Sequence, residues 1–169
     1  MPIIIQYLNP SEFGVWSIYQ TFSYFIIPLI GMNMSINITR NFFNTDTQDL
    51  SKLIFNLFVT LFLSTSFISI IILFVSFWKN DLFGISFFWL FLLPIIAFMN
   101  MANQFNLTIL RNSNKAIKYG FYEFLFVLIN VSVSIILIIF YSYDWTGMAY
   151  ALILSNIIIG LISIFSIYN

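Results

Sequence analysis

Charged residues divide the chain into long uncharged stretches at 13–39, 53–78, 82–110, 124–143 and 145–169, of 27, 26, 29, 20 and 25 residues. A helix rising about 1.5 Å per residue crosses a ~30 Å hydrocarbon layer in roughly 20 residues, so each stretch is long enough to span a bilayer once. Runs such as Ile70-Ile71-Ile72-Leu73-Phe74-Val75 do not alternate apolar and polar positions, which argues against the strands of a membrane barrel. Backbone groups in lipid must bond within their own segment, and helices do so. The pattern predicts an all-α polytopic membrane helix bundle with spans at about 13–39, 53–78, 82–110, 118–141 and 145–168. Before the first span, Met1 to Ile5 lack the basic start of a signal peptide. They run into Asn9-Pro10-Ser11-Glu12, where Asn9 or Ser11 can cap a helix. We expect this piece to be the end of an earlier span, and residues 1–169 to be a fragment of a larger protein.

Composition removes several kinds of chemistry. Of the 169 residues 61% are apolar and 7% charged, against about 25% charged in soluble domains. With neither Cys nor His, the chain has no thiol nucleophile, imidazole base or Cys/His zinc site. The six carboxylates do not pair with a base within a span, and the glycines stand alone, so no enzyme site, metal, cofactor or phosphate loop is expected. Six scattered cations do not form a nucleic-acid surface.

The cations orient the chain. Loop 40–52 holds Arg40 and Lys52, and loop 111–123 holds Arg111, Lys115 and Lys118, leaving Lys79 alone for the opposite side. Both loops are therefore expected to be cytoplasmic. Trp16, Trp78, Trp89 and Trp145 lie near span ends on the other side, as interfacial indoles do.

Within the spans, polar residues recur at helical spacing. Asn33, Asn37 and Arg40 share a stripe, as do Asn100, Gln104, Thr108 and Arg111, while Lys115, Tyr119, Glu123, Asn130, Ser134 and Tyr141 mark a third. Such amides either bond helix to helix or line a wet path; the cations either snorkel to headgroups or face a cavity, and Glu123 is placed to pair with Lys115, Lys118 or Arg111. Pro28, followed by Gly31, and Pro94 predict kinks or breaks inside spans. Ala149, Asn156, Gly160 and Ser163 form a small-residue face suited to close helix packing.

Taken in order, several segments resemble the Wzx-type polysaccharide flippases of the MOP superfamily. These are Leu8-Asn9-Pro10-Ser11-Glu12-Phe13-Gly14-Val15-Trp16, Arg40-Asn41-Phe42-Phe43, Leu110-Arg111 with Lys115-Ala116 and Lys118-Tyr119, and Gly147-Met148-Ala149-Tyr150-Ala151. The resemblance implies a two-lobed transporter of the bacterial inner membrane that flips an undecaprenyl-pyrophosphate-linked oligosaccharide by alternating access. This chain would supply helices two to six of the amino-terminal lobe, completed by a carboxy-terminal lobe. Its substrate path would draw on Arg40, Arg111, Asn33, Asn37, Asn100 and Gln104, with the two arginines at the cytoplasmic mouth attracting pyrophosphate. Two other readings stand beside it: a MATE-type multidrug exporter lobe, in which a buried acid would couple transport, and a non-transporting membrane scaffold.

Overall fold

The computed structural model describes residues 7–44, 46–78 and 81–168, except for the side chains of Thr47 and Leu82. It is a helical bundle: α1 (Pro10–Gly31), α2 (Met34–Phe42), α3 (Thr47–Ser76), α4 (Phe87–Asn112), α5 (Ala116–Ile135, continued by a π-helical turn, Ile136–Phe140) and α6 (Trp145–Tyr168). Five of these are long and apolar enough to cross a membrane: α1, α3, α4, α5 with its π turn, and α6. The chain is a multi-pass membrane protein.

Local chemistry accounts for the ends of these elements. Asn9 is the N-cap of α1, and its backbone N–H donates to Glu12 Oε2 at 3.1 Å, half of a capping box, with Pro10 as the first helical residue. At α6, Asp144 Oδ1 accepts from both the backbone N–H and the hydroxyl of Thr146, at 3.0 and 2.6 Å. Between α3 and α4, β1 (Asp81–Leu82) pairs antiparallel with β2 (Ile85–Ser86). The loop residues Phe83 and Gly84 both have positive φ, 54° and 78°, the twist that a two-residue hairpin favours.

Helix α4 occupies the middle and touches every other helix, with its most extensive packing against α6. Within their most apolar stretches 50% of α6 and 44% of α4 are buried, against 11% of α3 and of α5. That order follows from chemistry, because α3 and α5, the two most apolar spans, lose least by facing lipid, while α4 keeps Asn103, Asn106 and Thr108 inside.

The small-residue face of α6 is a packing face, with Ala149, Ser163, Asn156 and Gly160 all buried. A Cβ placed on Gly160 would stand 2.8 Å from Met99 Cβ and 2.9 Å from its carbonyl oxygen. Only a glycine permits so close an approach of α6 to α4. Hydrogen bonds run along the same contact: Asn100 Nδ2 donates to Asn156 Oδ1 at 3.2 Å, the Ser163 hydroxyl to Asn103 Oδ1 at 2.9 Å, and Asn106 Nδ2 to Ser163 Oγ at 3.4 Å. On the other side of α6, Asn130 Nδ2 of α5 reaches Ser155 Oγ at 3.1 Å.

The two ends of the bundle differ. At one end Trp16, Trp89 and Trp145 converge on the fully buried Tyr19, with ring centroids 5.8–6.3 Å from it. Trp89 and Trp145 also pack on each other, with centroids 5.3 Å apart, whereas Trp78, the fourth indole, is 80% exposed. The opposite, basic end carries Arg40, Lys52, Arg111, Lys115 and Lys118.

Candidate functional site

The span expected over 13–39 is two helices. Helix α1 runs unbroken through Pro28 and ends at Gly31; the interruption falls at Met32 (φ 41°, ψ 38°) and Asn33 (φ 53°, ψ 30°), both left-handed. Asn tolerates that conformation through its short polar side chain, whereas for Met it costs roughly 1–2 kcal/mol. Helix α4, by contrast, continues through the buried Pro94 from Phe87 to Asn112.

A break inside an apolar chain frees backbone groups that must find partners, and the surroundings supply them. The Met32 N–H donates to the Pro28 carbonyl at 2.9 Å and the Ile36 N–H to the Asn33 carbonyl at 3.0 Å. The Ile30 carbonyl, left without its helical donor, accepts the Ser64 hydroxyl of α3 at 2.9 Å. Gly31 lets Met101 of α4 lie directly against the last turn of α1, where a Cβ would meet the thioether sulfur.

Beyond the break, α2 is strongly two-faced. Met34 and Ile38 are buried with Leu61, Met101 and Phe105, while Asn33, Asn37, Arg40 and Asn44 are exposed. Nine residues rise about 13 Å, too little to cross a bilayer. The 22 residues of α1, at about 33 Å, suffice on their own.

The polar face of α2 meets the start of α3 in a groove of about 450 Å³, with Asn37 on one wall and Asp49, Lys52, Asn56 and Thr60 on the other. Lys52 Nζ donates to Asp49 Oδ1 at 3.0 Å, the ion pair among the described residues, and Leu53 and Leu57 supply apolar surface between the polar groups. Asn56 and Thr60 went unnoticed in the sequence because they fall in an uncharged run; the spacing Lys52, Asn56, Thr60, at i, i+4 and i+8, is the signal that would have found them.

Of the residues expected to line a path, Asn33 sits at the break and Asn37 in this groove. Arg40, Gln104 and Arg111 are exposed near the basic end. Arg111 lies in the last turn of α4, where the helix dipole favours a cation. Asn100 is different, since it bonds to Asn156 across the α4–α6 contact and so acts as helix glue. The stripe containing it is split in the same way: Thr108 is buried and returns its hydroxyl to the Gln104 carbonyl, while the Gln104 side chain faces out. Glu123 is half-buried and, contrary to expectation, forms no ion pair with Lys115, Lys118 or Arg111. No three metal-ligating side chains converge among the described residues.

Comparisons with protein-family models, with curated proteins and with solved structures returned no match.

Proposed function

We propose that the chain is part of one lobe of a bacterial inner-membrane transporter that flips an undecaprenyl-pyrophosphate-linked oligosaccharide by alternating access, with the basic end in the cytoplasm. The observation that carries this reading is the broken α1–α2 helix. It holds an exposed row of amides and Arg40 beside a polar groove, at the end of the bundle where Arg111 and the lysines also lie. Discontinuous helices at polar sites are a recurring device of secondary transporters. A pyrophosphate needs cations and a sugar needs amides, and the basic end offers both on exposed side chains.

The amides of the α4–α6 contact have a different part, fastening the helices that would move as one body. Arg40 and Arg111 then attract the pyrophosphate at the cytoplasmic mouth, with Asn33, Asn37 and Gln104 as the neighbouring polar groups. The resemblance to two-lobed flippases assigns transport itself to the longer protein, in which a carboxy-terminal lobe closes the path.

The test is Arg40→Gln with Arg111→Gln in the full-length protein, read as surface polysaccharide. Export should fall sharply while membrane insertion and protein level hold. Unchanged export in the double variant would remove the arginines, and the proposed mouth, from the mechanism.

A further inference from the structure

The groove between α2 and α3 does not stop at Thr60. The same residue also lines a second groove of about 320 Å³, bounded by Leu29 and Met32 at the end of α1 and by Leu63, Phe67 and Ile68 of α3. The two grooves therefore share a wall and follow one seam along α3: amides and an ion pair from Asp49 to Thr60, hydrocarbon from Thr60 to Ile68. The apolar part, from Thr60 to Phe67 and Ile68, covers about 12 Å of helix, and the whole seam from Asp49 to Ile68 about 28 Å. The Met32–Asn33 break sits where the character changes, since Met32 belongs to the apolar part and Asn37, one turn beyond Asn33, to the polar part.

A seam polar at the basic end and apolar further along has the profile of an amphiphile. Helix α3 has 30 residues, about ten more than a bilayer core requires, so its first turns reach headgroup level and the stretch around Phe67 lies at acyl depth. The polar part also discriminates among headgroups. The charges of Lys52 and Asp49 cancel within the groove, so its lining carries no net charge. What it offers is the side-chain amides of Asn37 and Asn56, which have no side-chain hydrogen bond among the described residues and which both donate and accept, with Leu53 and Leu57 between them. Sugar and inositol rings match this surface, presenting hydroxyls of both kinds around an apolar C–H face.

We propose that the α2–α3 seam is a binding site for a lipid with a neutral, polyhydroxylated headgroup, the ring held by Asn37 and Asn56 and one hydrocarbon chain lying along Met32, Leu63 and Phe67. The site takes its leaflet from the transport reading, but binding here does not require transport.

The test uses the full chain in phosphatidylcholine nanodiscs, with a fluorescent monoglucosyl diacylglycerol as probe and its phosphatidylglycerol and phosphatidylcholine counterparts as controls. The glucosyl lipid should bind in preference to both. Asn37→Leu with Asn56→Leu should weaken it about tenfold while leaving the controls unchanged, and Leu63→Trp, which fills the apolar part, should weaken it without touching the headgroup wall. Both polar positions are exposed, so the first pair is expected to fold; thermal unfolding in the same nanodiscs checks this. Equal binding of all three lipids, preference for phosphatidylglycerol, or indifference to both sets of variants would overturn the proposal. Unchanged export in the Arg40→Gln/Arg111→Gln variant with glucolipid binding intact would instead count against the transport reading alone.

Discussion

Gly160→Ala measures the α4–α6 contact against a built-in reference. The added Cβ would stand 2.8 Å from Met99 Cβ and 2.9 Å from Met99 O, so the two helices must part by about half an ångström to reach ordinary contact. Neither partner atom is the free end of a flexible side chain, so the strain spreads to the helix axes and to the Asn100–Asn156 and Ser163–Asn103 hydrogen bonds beside it, now 3.2 and 2.9 Å. Overpacking of this kind costs about 1–3 kcal/mol. Replacing a helical glycine by alanine also favours the helix by about 1 kcal/mol, which would mask part of the loss. Gly120→Ala supplies that term alone, because nothing lies within 4 Å of its Cβ position in α5. Reversible unfolding in mixed micelles should therefore place Gly160→Ala about 1–3 kcal/mol below Gly120→Ala, the propensity term cancelling. Gly31→Ala should fall between them, since the Met101 thioether it meets can turn aside. Equal stabilities for the Gly160 and Gly120 variants would refute the claim that α4 and α6 touch at Gly160.

Ser163→Val strands the buried amides of Asn103 and Asn106 and should cost about 1–2 kcal/mol, with the double variant Ser163→Val/Asn103→Leu costing less than the sum, as read in the same unfolding assay. Tyr19→Phe should be neutral or stabilising, because the buried hydroxyl has no partner among the described residues and its removal relieves that group without changing the ring packing. Ser64→Ala withdraws the donor from the Ile30 carbonyl; we expect a loss of about 1 kcal/mol and faster hydrogen exchange around Met32. Lys52→Gln should change stability by less than about 0.5 kcal/mol, as the Asp49 pair is 74% and 61% exposed.

The five spans were legible because lipid leaves no other reading for long uncharged stretches, and the packing face of α6 was legible because small residues at helical spacing have few other uses. The break at Met32–Asn33 was not. Pro28 and Gly31 announce a weak helix, but nothing in a methionine signals a left-handed backbone, and the side chains that pack on the end of α1, Met101 and Ser64, come from helices distant in sequence. Periodicity likewise placed Asn100 and Gln104 on one stripe without saying where the stripe looks. The packing of α6 takes Asn100 inward, whereas Gln104, just over one turn on, faces out. For the tryptophans, position near a span end was legible, but the packing of Trp89 on Tyr19 and Trp145 was not, since those rings come from three different helices.

Surface labelling tests directly whether α2 stands apart from α1 as a polar helix beyond the hydrocarbon, at the end of the bundle opposite the hairpin. Because the chain has no cysteine, single cysteines at Asn37, Asn44, Phe25, Gly84 and Ser142 can be probed with a membrane-impermeant maleimide in sealed vesicles of both orientations. Positions 37 and 44 should label only from the cytoplasmic side, 84 and 142 only from the other, and 25 from neither. Protection of 37 and 44 to the level of 25, or labelling of 44 and 142 from the same side, would contradict it.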